Sequence, residues 1–121
     1  MNTKDVAQKW ANLCRAGKNL ECITELYADN VVSKEMPGMP GELITGKQNV
    51  WNKSKAWLES VEDFHASEIG EPIVAGSFFT AKMSFDCTFK ARGRQQMEEV
   101  CVYEVKNGKI ASEQYFYNME E

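Results

Sequence analysis

The carboxyl-terminal hairpin places side chains that could do chemistry on a face that is otherwise typical of a core. Asn107-Gly108 accepts positive φ at both central positions of a type I′ turn, so the segment VYEVKNGKIASEQYFY predicts a two-residue hairpin. This turn pairs Glu99 with Phe116 and brings Gln114 to the same face. A carboxyl group among apolar neighbours loses hydration, which raises its pKa and suits it to general acid or base catalysis. A glutamate at a strand end that reaches solvent is the alternative interpretation.

Two further titratable residues are candidates for catalysis. Asp86 lies in SFDCTF, where it is a lone acid between apolar and aromatic residues. Its position in the strand directs it outward, although a single β-bulge would turn it into the interior. A polar group at a dimer interface is its structural alternative. His65 is the only histidine and could titrate near neutral pH, whereas a structural role on a short strand is its alternative.

The elements that must position these residues follow from the spacing of apolar residues. Helical spacing predicts three amphipathic helices, over residues 3–16, 19–28 and 47–62. The segment PGMPGELITG predicts no regular structure, because two Pro-Gly pairs interrupt it. After residue 63 the period changes to two, which predicts four or five antiparallel strands. Helices followed by strands indicate a segregated α+β fold.

Strand pairing predicts which residues face the helices. A three-residue loop at 92–94 would pair Cys87 with Glu99, and it would place the odd residues of both strands on the inner face. The outer face would carry Val100, Val102 and Tyr115, which form a patch too apolar for open solvent. The sequence therefore predicts a two-fold homodimer through the outer sheet face.

Length and composition exclude several classes of protein. The chain has 121 residues, which predicts one domain over 1–121, and a net charge of −4, which argues against nucleic acid and membranes as partners. There is no signal-like or membrane-spanning run, and the four cysteines lack metal-ligand spacing. With no phosphate-binding glycine loop either, the sequence predicts a cytoplasmic protein without cofactor or metal.

Three segments carry a family resemblance. LYADNVVSKEMPG, ITGKQNVWNK and VCVYEVKNGKI resemble the SnoaL-like branch of the nuclear transport factor 2-like superfamily, and the likeness extends from Asp5 to Tyr117. The resemblance implies an α+β cone in which a strongly bent antiparallel sheet wraps three helices and leaves a pocket. It also implies frequent homodimers. It does not imply one reaction, because the superfamily includes polyketide cyclases, ketosteroid isomerases, epoxide hydrolases, dehydratases and proteins without enzymatic activity.

Candidate ligand-binding residues are those expected on the inner faces and in the Pro-Gly segment that could cover them. They are Trp10, Tyr27, Met36, Trp57, Met83, Phe85, Cys101, Tyr103, Gln114 and Phe116. Three functional hypotheses stay open. The chain binds a small, largely apolar molecule; or it is a cofactor-independent isomerase, cyclase or hydrolase whose base is a pocket carboxylate; or it is a non-catalytic dimerisation or protein-interaction module.

Overall fold

Three helices and seven strands make up the chain in the computed structural model, which describes residues 1–118. The helices are α1 (Thr3–Arg15), α2 (Asn19–Leu26) and α3 (Lys47–Ser60). The strands are β1 (Tyr27–Lys34), β2 (Leu43–Thr45), β3 (Val61–Ile69), β4 (Ile73–Ala75), β5 (Phe78–Phe89), β6 (Gly93–Lys106) and β7 (Lys109–Phe116). This α+β arrangement with a curled sheet confirms the predicted cone fold.

The strands form one sheet in the order β2-β1-β7-β6-β5-β3, and β4 also pairs with β5. The pair β1–β7 is parallel, so the sheet is mixed rather than wholly antiparallel as predicted. The prediction of no regular structure over residues 37–46 was also wrong for the carboxyl-terminal part of this segment, which contains β2. There the Pro-Gly turn closes a hairpin in which Glu35 N–H donates to the Glu42 carbonyl, and β2 pairs with β1.

The helices pack on the inner face of this sheet. Trp10 of α1 is 1% exposed and packs against Phe79 and Tyr103, with ring centroids 5.5 and 5.0 Å away. Phe79 and Tyr103 stack on each other at 4.7 Å. These three rings fill one end of the interior. Over residues 1–118, no helix has the length and apolar character that a bilayer crossing requires.

Both hairpins at the carboxyl-terminal end depend on positive φ. The Asn107-Gly108 turn is confirmed, with φ of 52° and 73°. The preceding loop differs from the prediction, because Gly93 (φ 77°) pairs with Phe89 and opens β6. Glu99 therefore lies opposite Met83 rather than Cys87. The shift spans an even number of residues, so the residues of β5 and β6 keep the predicted faces.

A β-bulge in β7 changes the faces of every residue after it. Val105 pairs with Ile110, but Glu104 pairs with Ser112, which leaves Ala111 as the extra residue. The predicted inner positions of Gln114 and Phe116 were therefore wrong, and so was the predicted outer position of Tyr115. Glu113 and Tyr115 face inward instead. The physical reason is that one extra residue reverses the alternation of a strand.

Candidate functional site

A polar cluster lies on the inner face of the sheet beside α3. We call it the carboxylate cluster and define it as Glu35, Glu99, Glu113 and Lys53. Strands β6 and β7 contribute Glu99 and Glu113, Glu35 follows the end of β1, and Lys53 comes from α3. Three acids and one base thus converge from four separate segments of the chain. Such convergence of titratable groups in an interior is a hallmark of functional sites.

Glu113 is the most deeply buried member, with 3% of its surface exposed. The Tyr27 hydroxyl donates to one of its carboxylate oxygens, and the Ser33 hydroxyl donates to the other at 2.7 Å. Burial raises the pKa of Glu113, while the hydrogen bonds from these hydroxyls oppose that rise. Because β1 runs parallel to β7, Ser33 lies beside Glu113 in the sheet. The bulge in β7 and the parallel pair therefore create this buried acid together.

Lys53 and Glu35 form the second part of the cluster. Lys53 Nζ lies 3.0 Å from a carboxylate oxygen of Glu35, and the Tyr117 hydroxyl donates to the other oxygen at 3.1 Å. The ammonium also lies 5.4 Å from the centroid of the Tyr115 ring. Both side chains of the ion pair are mostly buried, at 24% and 18% exposure, so water screens this pair less than a surface pair.

Glu99 has the pKa best suited to proton transfer near neutrality. Burial is the main cause that raises the pKa of Glu99 to about 7, and the negative charges of Glu35 and Glu113 add to it. Lys53 acts in the opposite direction. The predicted desolvated glutamate on an apolar face is therefore found here, although its neighbours across the strands differ from those predicted.

The pKa of Glu99 has a consequence for stability. Between its ordinary value of 4.5 and about 7, the folded protein holds the proton while the unfolded chain has lost it. The folded state then binds more protons, so the free energy of unfolding falls as the pH rises through this interval, by on the order of 3 kcal/mol. We expect urea unfolding at several pH values to show this fall in the wild type, with a smaller fall in Glu99→Gln. An equal pH dependence in both proteins would mean that the Glu99 carboxyl is well hydrated.

The other two predicted catalytic residues lie on the outer face, away from the cluster. Both carboxylate oxygens of Asp86 accept hydrogen bonds from the Arg94 guanidinium, at 2.9 and 2.8 Å. These bonds to Arg94 lower the pKa of Asp86, the opposite of what a general base near neutrality needs. His65 Nε2 lies 2.7 Å from the Thr88 hydroxyl in an exposed position. The structure does not bring either residue together with Glu99.

The predicted ligand-binding residues fall into three groups. Trp10, Tyr103, Met83 and Cys101 are buried in the core, and Tyr27 is buried against Glu113. Trp57 and Phe85 are partly buried against each other, with ring centroids 5.7 Å apart, and Met36 is partly buried in the turn after β1. Gln114 and Phe116 face outward because of the bulge, and 45% of Phe116 is exposed.

Three members of the carboxylate cluster were missed by the sequence analysis. Lys53 had a readable signal, because it occupies the same helical stripe as Val50 and Trp57, three and four residues away. Glu113 had none, since regular alternation from the Asn-Gly turn places it outside. Glu35 follows a short strand and precedes a Pro-Gly turn, where a glutamate is ordinarily a solvated residue.

These features define an α+β cone of the nuclear transport factor 2-like, or cystatin-like, class with acids on its inner face. The SnoaL-like domain family matches residues 1–117, and the chain belongs to this family. A search of curated proteins gave no match to the chain.

Solved structures agree with this assignment. A Mesorhizobium loti protein, provisionally named both a SnoaL-like polyketide cyclase and a carbohydrate phosphatase, is 34% identical with a TM-score of 0.91. The match covers 97% of this chain and all of that one. A cystatin-like protein of unknown function from Xanthomonas campestris is 17% identical (TM-score 0.81, covering 98% and 92%). A Catenulispora acidiphila protein with a ketosteroid isomerase-like fold, solved with trimethylamine, is also 17% identical (TM-score 0.75, covering 98% and 88%). The last two likenesses bear on the fold alone.

Proposed function

We propose that the protein binds a small, largely apolar molecule between α3 and the inner face of the sheet, and that Glu99 acts on it as a general base. The observation that carries this proposal is the position of Glu99, an acid on the inner face whose pKa is raised to about 7. A base is most effective when its pKa lies near the working pH, because it is then both ionised and able to hold a proton.

The surroundings of Glu99 support an apolar ligand with an acidic C–H bond. Met83 lies opposite Glu99 across the strands, and the neighbouring inner positions hold Cys101 and Tyr115. A base in such a setting removes a proton beside a carbonyl group without a cofactor, as in the ketosteroid isomerase example of carboxylate catalysis. The name polyketide cyclase of the Mesorhizobium loti protein fits this chemistry, because an aldol-type cyclisation begins with the same step.

The experiment that tests this proposal is hydrogen–deuterium exchange at the carbon atoms beside the carbonyl of cyclohexanone, followed by proton NMR in deuterated buffer. Cyclohexanone is small, apolar and slow to exchange without a catalyst. We expect the wild type to accelerate the exchange, with a rate that rises through a midpoint near pH 7 and then levels off. No acceleration, or a midpoint near the ordinary glutamate value of 4.5, would contradict the role of Glu99.

We also propose that two copies of the chain pack through the outer face of the sheet. Support comes from Val100 and Phe116, which are partners across β6 and β7 and are 43% and 45% exposed. Val102 extends the same face, whereas Tyr115 does not belong to it. Exposed apolar pairs of this kind are typical of surfaces that a second molecule covers.

A charge in this patch tests the dimer. We expect Val100→Lys to convert a dimeric wild type into a monomer, because pairing would bury two lysines against the partner's patch. Size-exclusion chromatography with light scattering gives the masses. Val74→Lys is the matched control, since Val74 is 40% exposed and pairs with the inward-facing Phe79, which places it on the other face of the sheet. A monomeric wild type would refute the dimer outright.

A further inference from the structure

Lys53 has an unusual environment for a lysine. It lies on the inward stripe of α3 together with Val50 and Trp57, and its ammonium nitrogen is buried. A carboxylate oxygen of Glu35 lies 3.0 Å from this nitrogen, an ion pair to which one of the three N–H groups can point. No other acceptor among the described residues takes a hydrogen bond from it. The charge is thus paired, while the other two N–H groups lack an acceptor.

A buried ammonium with unpaired N–H groups is costly. The group has three N–H donors, and buried donors in native proteins nearly always have a partner from the protein, a ligand or an ordered water. The face of the Tyr115 ring, whose centroid lies 5.4 Å from the nitrogen, attracts the charge but does not replace a hydrogen bond to an oxygen atom. The structure therefore has a strong donor on the inner face, beside the proposed base, with capacity for an oxygen atom.

We propose that Lys53 Nζ binds the carbonyl oxygen of the substrate, and that the substrate class is neutral ketones or aldehydes with a proton on the carbon beside the carbonyl. This inference rests on the proposed function. In the reaction the C–H bond breaks and its proton passes to the Glu99 carboxylate. The electron pair moves onto the carbonyl oxygen as an enolate, and the ammonium of Lys53 stabilises the negative charge that develops there.

The charges of the cluster favour a neutral substrate over an ion. The opposite charges of Glu35 and Lys53 cancel, so the net charge of the carboxylate cluster depends on Glu99 and Glu113. Proton transfer moves one negative charge from Glu99 to the enolate oxygen and leaves the total unchanged. A substrate that arrives as an anion would add a charge beside three acids. A cationic amine would compete with Lys53 for Glu35, so both kinds of ion bind less favourably.

An open groove offers a route to this lysine from solvent. It lies between β2 and α3 and is lined by Lys53 together with Ile44, Asn49 and Asn52, among others. Asn49 donates an amide hydrogen to the Thr45 carbonyl, and the side-chain oxygen of Asn52 accepts a hydrogen bond from the Gln48 amide. Lys53 is the one positively charged donor among the described residues that line this groove.

The test compares Lys53→Met with the wild type in the cyclohexanone exchange over a range of pH. Methionine keeps the apolar stem of lysine without the charge. Two effects must be separated, because Lys53 also lowers the pKa of Glu99. We expect the midpoint to rise and, in addition, the maximal rate at high pH to fall by about 10²-fold, as for loss of an oxyanion donor. A raised midpoint with an unchanged maximal rate would overturn the inference, since Lys53 would then only lower the pKa of Glu99.

The control variant is Lys55→Met, because Lys55 is exposed on the same helix.

A second measurement does not depend on turnover. 4-Nitrophenol has an apolar ring, and its absorbance reports whether its oxygen is ionised. We expect wild-type protein to bind it with a larger ionised fraction than in free solution at the same pH, because its proton can pass to Glu99 without adding a charge to the cluster. Lys53→Met should lose that excess. Equal ionisation in both proteins would overturn the role of Lys53. Ionised 4-nitrophenol bound to a wild type that exchanges no cyclohexanone would instead support oxygen binding by Lys53 and refute Glu99 as a base.

Discussion

Replacing Glu99 with glutamine should lower the rate of cyclohexanone exchange by about 10²- to 10⁴-fold, the range typical for loss of a general base. Glutamine has nearly the same shape as glutamate, so packing against Met83 is retained while the proton acceptor is lost. Removal of the charge also relieves the repulsion from Glu35 and Glu113, so the folded state should not lose stability. Proton NMR of the exchange and a urea titration measure the two effects on the same sample.

Two neighbouring acids are matched controls for this variant. Glu98 precedes Glu99 in β6, points to the opposite face and pairs with Lys82 at 3.1 Å in an exposed position. Asp86, which the sequence also suggested as a base, is held by Arg94 on the outer face. We expect Glu98→Gln and Asp86→Asn to exchange cyclohexanone as fast as the wild type. A loss in Asp86→Asn equal to that in Glu99→Gln would move the site to the outer face.

Replacing Trp10 with alanine should reduce the free energy of unfolding by about 3–5 kcal/mol, as is usual for loss of a fully buried large aromatic residue. The indole is 1% exposed and contacts the rings of Phe79 and Tyr103, which could not close the resulting cavity without breaking their own stack. Native domains have only about 5–15 kcal/mol of stability, so the variant should unfold at much lower urea concentrations.

This variant also distinguishes a structural role of Trp10 in the core from a role in ligand binding. The sequence suggested that Trp10 lines a ligand-binding site. In that case its truncation would reduce ligand affinity more than the free energy of unfolding. Phe64→Ala is the control, because 50% of Phe64 is exposed and its truncation should cost far less. Urea unfolding followed by circular dichroism gives both values. A cost below about 1 kcal/mol for Trp10→Ala would mean that the aromatic cluster is loosely packed.

Features that depend on neighbouring residues could be predicted from the sequence. The Asn107-Gly108 turn forms as expected, because these two residues tolerate positive φ better than others. The three helices begin and end within a few residues of the predicted limits, since the spacing of apolar residues is a local signal. Glu99 faces inward as predicted because a shift of an even number of residues in the pairing of β5 and β6 preserves the face.

The sequence by itself therefore determined the class of fold, the hairpin turn and one acid of the site. Only the tertiary structure decided that Glu113 faces inward and meets Tyr27 and Ser33, because a single bulge reversed the alternation of β7. It likewise decided that Lys53 and Glu35 meet, since residues from a helix and a distant strand come together only through packing. A bulge is stabilised by what the reversed side chains then contact, and those contacts join segments far apart in the chain.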